Sequence, residues 1–178
     1  VYYDGSKFAN DGTVTDAGYD TVTNTLQSRN FSSTGTATIA NLATTSYGSI
    51  KGLFESGNVT ATAPTANTNI DVVTQTIQYF TANASVNTTI NFRGNSTTTL
   101  DSIMSNGNTI SSAVLITNGS SAYYPTVYQI DGTAITPKWS GGTAPTGGNA
   151  TATDLYSYSI TKTAANTYVM FASQTKFA

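Results

Sequence analysis

From residue 73 onward, large apolar side chains recur at every second position, and that spacing suits a strand far better than a helix. In Val73-Gln75-Ile77-Tyr79 the alternate positions are mainly apolar, with Thr74, Thr76 and Gln78 facing the other way. Ile90 and Phe92 repeat the pattern against Thr89 and Asn91. Further on, Ile110, Val114 and Ile116 share a face, and so do Tyr156, Tyr158 and Ile160. Asp131-Gly132, set between Tyr128-Ile130 and Ile135, is a hairpin turn signal, and a second turn is predicted near Ala164-Ala165-Asn166.

Composition closes the helical alternative. Glu55 is the only glutamate, Lys and Arg together number 7, and roughly a fifth of the 178 residues are Thr. Such a chain lacks the strong helix formers. Seven or eight short strands over about 105 residues predict an all-β fold, a C-terminal antiparallel β-sandwich of jelly-roll type. We place this domain at 71–178, after a Pro64-containing linker at 55–70.

Residues 1–54 are read as an extended, core-poor β and turn segment serving assembly or as a shaft. Asp4-Gly5 and Asp11-Gly12 mark turns, and one short helix fits around Val22 and Leu26. Too few bulky apolar residues are present for a private core, which suggests a core shared among copies. At the other end, Tyr168-Val169-Met170-Phe171 is apolar at four consecutive positions, so both faces of the last strand ask for burial. Tyr168 and Met170 are therefore candidate interface residues, with a central strand covered within one subunit as the alternative.

The chemistry available is narrow. There is no His and no Cys, only 9% of residues are charged, and the net charge is −2. Catalysis at neutral pH usually draws on His, an activated Cys or paired carboxylates, so no enzymatic activity and no cofactor are expected. Asp101, Asp131 and Asp154, beside Asp71 at its first position, are the acids of the C-terminal module. Asp131 and Asp154 have structural explanations in a hairpin and at a strand start. No basic stripe exists to engage a phosphate backbone, which argues against nucleic acid. The longest apolar runs are too short to span a bilayer.

Asp4, Asp11, Asp16 and Asp20 offer oxygen ligands but match no calcium loop, and no metal is expected. Seven N-x-S/T sequons occur, as chance allows in a chain this rich in Asn, Ser and Thr. The start at Val1 leads us to expect a fragment or a processed product. Aromatics supply the binding candidates. Trp139 can stack on a sugar ring or cap the sandwich core. Tyr123, Tyr124 and Tyr128 form a second cluster, suited to glycan or protein contact or to packing, with Pro125 holding Tyr124 extended.

The run ITPKWSGGTAPTGGNATATDLYSYSI, from Ile135 to Ile160, resembles a module at the ends of phage structural proteins. In that module a Trp, a Gly-Gly-Thr-Ala-Pro-Thr turn and an Asp-x-Tyr-x-aromatic strand follow one another. INFRGN around Arg93, YYPTVYQIDG around Tyr128 and the closing TYVMFASQTKF are similar to virion and tail-fibre-like proteins of marine cyanobacterial tailed phages. The resemblance covers about residues 71–178 and brings no catalytic residues. It implies a virion structural protein of tail-fibre or appendage type, located on the particle. Homotrimeric assembly, contact with other virion proteins and attachment to a host-surface glycan or protein would follow. A capsid decoration protein is the alternative within the same resemblance, and a secreted carbohydrate-binding module the alternative outside it.

Overall fold

The computed structural model describes residues 55–177, together with the pairing of two short strands, β1 (Tyr2–Tyr3) and β2 (Phe8–Ala9). The chain divides into two units, Val1–Ser49 and Ile50–Ala178. In the first unit β1 and β2 pair antiparallel on either side of Asp4-Gly5. The expected short helix, the core-poor segment and the Asp4–Asp20 carboxylates otherwise lie outside the described residues.

The second unit is all-β. Its strands are β3 (Gly57–Thr60), β4 (Asn67–Asp71), β5 (Ile77–Ala84), β6 (Thr88–Arg93), β7 (Thr109–Asn118), β8 (Pro125–Ile130), β9 (Thr133–Ala134), β10 (Lys138–Trp139), β11 (Thr153–Ala164) and β12 (Thr167–Phe177). Among the described residues, helix is confined to α1 (Leu100–Ile103) and one 3₁₀ turn at Ser140–Gly142. Two sheets form: one of six strands in the order β10-β12-β11-β7-β5-β3, one of four in the order β4-β6-β8-β9.

From β3 to β8 the chain alternates between the sheets, so β3, β5 and β7 lie side by side and parallel, as do β4, β6 and β8. Three two-strand coils are thus stacked, and the third is reached through the segment 94–108 that carries α1. Only then does the chain turn antiparallel, with β11 pairing both β7 and β12. The expected all-β sandwich holds, and its antiparallel, jelly-roll detail is corrected for β3 to β8. Period two reports that a strand exists and which residues share a face; it is silent on the neighbour. Consecutive strands here belong to opposite sheets, which makes their sheet partners parallel.

The linker expected at 55–70 is corrected too. Gly57–Thr60 and Asn67–Asp71 are strands, forming the first coil. One large side chain anchors it: Ile70 is fully buried and stands in register with Phe92, which in turn faces Ile130. Thr68 and Thr88 share a buried hydroxyl–hydroxyl hydrogen bond of 2.9 Å one step away. Stacking on an existing coil needs few bulky residues of its own, so the composition looked like linker.

The core lies between the sheets. Phe80, Val114, Ile116, Tyr156, Tyr158, Ile160 and Met170 come from the larger sheet, and Ile70, Ile90, Phe92, Tyr128 and Ile130 from the smaller. Phe92 and Tyr158 meet edge to face at 5.0 Å across the gap. Both predicted turns form. Asp131 (φ 50°) and Gly132 (φ 79°) close the β8–β9 hairpin, where a left-handed pair matches strand twist. Asn166 (φ 50°) lies in the β11–β12 turn.

Candidate binding face

The two sheets present very different outer faces. On the four-stranded sheet, Asn91 donates to Asn69 Oδ1 at 2.8 Å, and Asn91 Oδ1 accepts the Gly132 N–H at 2.9 Å. Beside this amide ladder Arg93 Nε meets Asp71 Oδ1 at 2.6 Å. These four side chains bond in pairs, Asn91 with Asn69 and Arg93 with Asp71.

On the six-stranded sheet the register sets Val59, Tyr79, Leu115, Leu155 and Thr175 in one row across five strands. The next row is Gly57, Ile77, Ala113, Ser157 and Ser173. A third holds Ser111, Ser159, Phe171 and Lys138. The second and third rows, floored by small residues, form an open trough of about 710 Å³. Trp139 and Phe171 line it, with Lys138 and Glu55 as its only charged lining residues among the described residues. Phe171 is 51% exposed, and Lys138 Nζ stands 5.8 Å from its ring centroid.

The aromatic and interface candidates fall on both sides of this geometry. Trp139 is half-buried and packs edge to face on Tyr128 at 5.5 Å, so it caps the core and also borders the trough. Tyr128 is not a surface aromatic: it is buried, and its hydroxyl donates to Pro125 O at 2.8 Å. Tyr123 and Tyr124 are half-buried against the core and do not line the trough. Their backbone N–H groups donate to Asn118 Oδ1 and Asn87 Oδ1, both at 3.1 Å.

Met170 is corrected outright. It is 1% exposed and paired with Ile160 inside the sandwich. The outward member of the apolar run is Phe171. Tyr168 shares Met170's face, half-buried, with its hydroxyl donating to Asp101 Oδ1 at 3.3 Å.

The carboxylates of Asp101, Asp131 and Asp154 serve the frame. Asp131 accepts the Leu100 and Asp101 N–H groups at 2.7 and 3.1 Å, capping α1 together with Thr99. Asp101 pairs with Lys162 at 2.8 Å and accepts the Asn166 N–H. Those bonds, the lysine first, hold its carboxyl below the ordinary aspartate range. Lys162 also donates to the carbonyls of Asp101 and Met104, at 2.7 and 2.9 Å, and so ties α1 to the β11–β12 hairpin.

Asp154 is fully buried. Its Oδ2 accepts the Asn149 N–H at 2.7 Å, while Oδ1 has no hydrogen-bond partner. Burial pushes its carboxyl up, against the pull of Asn149 and of nearby Lys176. The loop it anchors needs Gly148: a Cβ there would stand 2.4 Å from Tyr123 O.

Sequence reasoning passed over the trough serines and Phe171. The signal was present in Tyr156-Ser157-Tyr158-Ser159-Ile160, whose strict alternation sends both serines outward. Comparison with family models, curated proteins and solved structures returns no match.

Proposed function

We propose that this chain is a structural and adhesive element of a tailed-phage virion, of tail-fibre or appendage type, that works by surface contact and not by catalysis. One observation carries the contact reading: the outer face of the six-stranded sheet holds an open trough with apolar and hydroxyl lining and, among the described residues, charge only at Lys138 and Glu55. Solvent-facing sheet surfaces normally alternate toward polar side chains, and the other sheet of this molecule does so. The resemblance of residues 71–178 to virion proteins supplies the particle, and assembly of three copies belongs to the same proposal.

Immunogold labelling of purified virions, with antibody raised against the chain, tests it. Label at the tail or its fibres is the expected result. Label on the head would favour the capsid-decoration reading, and absence from particles would defeat both.

A further inference from the structure

We infer that the trough is a glycan site, taking a linear, uncharged oligosaccharide laid across β7, β11 and β12. The inference rests on the attachment reading above and names its ligand class. Ser111 and Ser159 stand opposite each other on β7 and β11, and Ser157 and Ser173 on β11 and β12. Ser112, one residue away but inward, donates to Thr76 O at 2.6 Å. The four outward hydroxyls make no hydrogen bond among the described residues, so each has a donor and acceptors to offer.

Their geometry favours a sugar chain. Strands lie about 4.8 Å apart, close to the length of one pyranose residue, so successive sugars meet successive hydroxyl positions. Pyranose rings combine an apolar C–H face with a rim of hydroxyls. Phe171 supplies a wide apolar surface beside Ser159, and Ile77 a second one beyond Ala113. The volume of about 710 Å³ lies within the range of small-ligand sites, about 300–1,000 Å³.

Charge sets the preference for a neutral ligand. Among the described residues, Lys138 and Glu55 leave the trough with no net charge. A lone carboxylate also provides no acid–base pair for glycoside hydrolysis, which uses two. A protein face fits less well. It would cover four hydroxyls that have no partner among the described residues, each needing one to offset lost water, whereas a sugar brings matching hydroxyls at the same density.

Saturation-transfer NMR and titration calorimetry on the full chain, with chitotetraose, cellotetraose and maltotetraose as probes, test the site. Binding of at least one is expected. Phe171→Ala should weaken it about tenfold and Ser159→Val about three- to tenfold. Asn91→Ala on the opposite face should leave it unchanged. Valine suits an exposed strand position, and circular dichroism verifies that both trough variants fold.

Failure of all three sugars to bind, or binding indifferent to both trough variants, overturns the inference. So does a stable dimer by light scattering that Phe171→Ala disperses, because the trough would then be a protein interface. Virion label without sugar binding would remove the glycan and leave the attachment reading. Sugar binding without label would do the reverse.

Discussion

The two outer faces of the sandwich are built from the same small polar vocabulary and put it to opposite uses. On the four-stranded sheet, Asn69, Asn91, Asp71 and Arg93 bond to one another and to the Gly132 backbone. On the six-stranded sheet, Ser111, Ser157, Ser159 and Ser173 lie among Ile77, Leu115, Leu155 and Phe171. The first face completes the fold's hydrogen bonding. The second leaves hydroxyls and apolar surface facing outward. An outward polar side chain is thus no guide to role until its partners are known.

The largest contrast is within β12, where neighbours point opposite ways. Met170→Ala should cost about 2–5 kcal/mol, because it removes a fully buried side chain and leaves a cavity. Phe171→Ala should cost under about 1 kcal/mol, since half its surface already meets water. Urea unfolding followed by circular dichroism reads both. Equal costs would mean that the outer face is packed like the core, and the comparison would collapse.

A pH titration of stability probes the charges held at and under the faces. Asp154 has its carboxyl raised by burial, so proton uptake favours the folded state. Its contribution is complete below the unfolded aspartate value, about 3.9, and is lost as pH rises through the raised folded value. Asp101 is lowered by Lys162 and Asn166, so its contribution is present above about 3.9 and lost as pH falls through the lowered value. Stability to urea should therefore rise on mild acidification from neutral pH and fall in stronger acid. Asp154→Asn should abolish the rise and keep the fall.

Smaller effects separate the two outer faces directly. Asn91→Ala removes the ladder and strands the Gly132 N–H, at a cost of about 1 kcal/mol. Ser159→Ala should change stability by less than about 0.5 kcal/mol, because no hydrogen bond among the described residues depends on that hydroxyl. The smallest change is expected from Leu155→Thr, which keeps strand propensity and trims only outward apolar surface. A matching cost at Asn91 and Ser159 would remove the distinction between a face that completes the fold and one that is open.

Strands and turns were legible in advance. Ile90-Phe92, Val114-Ile116 and Tyr156-Tyr158-Ile160 are inward, as their alternation said, and Asp131-Gly132 turns where expected. The face of β5 was harder to read. Ile77 and Tyr79 alternate with Gln78, yet Gln78 is the buried member, its Oε1 accepting from Asn58 at 2.9 Å. Hydrophobic alternation marks the core side only when the other side meets water. On the six-stranded sheet the outer side is apolar as well, so the same pattern points outward. Met170 was misplaced for the same reason: an apolar run does not say which neighbour faces in.

Local chemistry along the chain determined that this protein is β-rich, where its hairpins turn, and that its described carboxylates can serve a scaffold. β-Branched and aromatic residues at period two, and Asp-Gly at a left-handed turn, act over a few residues and need no distant partner. Tertiary structure alone decided the parallel stacking of β3 to β8, the use of 55–70 as a first coil, and the gathering of Ser111, Ser159 and Phe171 into one trough. Each of these depends on which strands become neighbours. Neighbours are chosen by the packing of whole faces across a shared core, and that energy is spread over residues far apart in the chain.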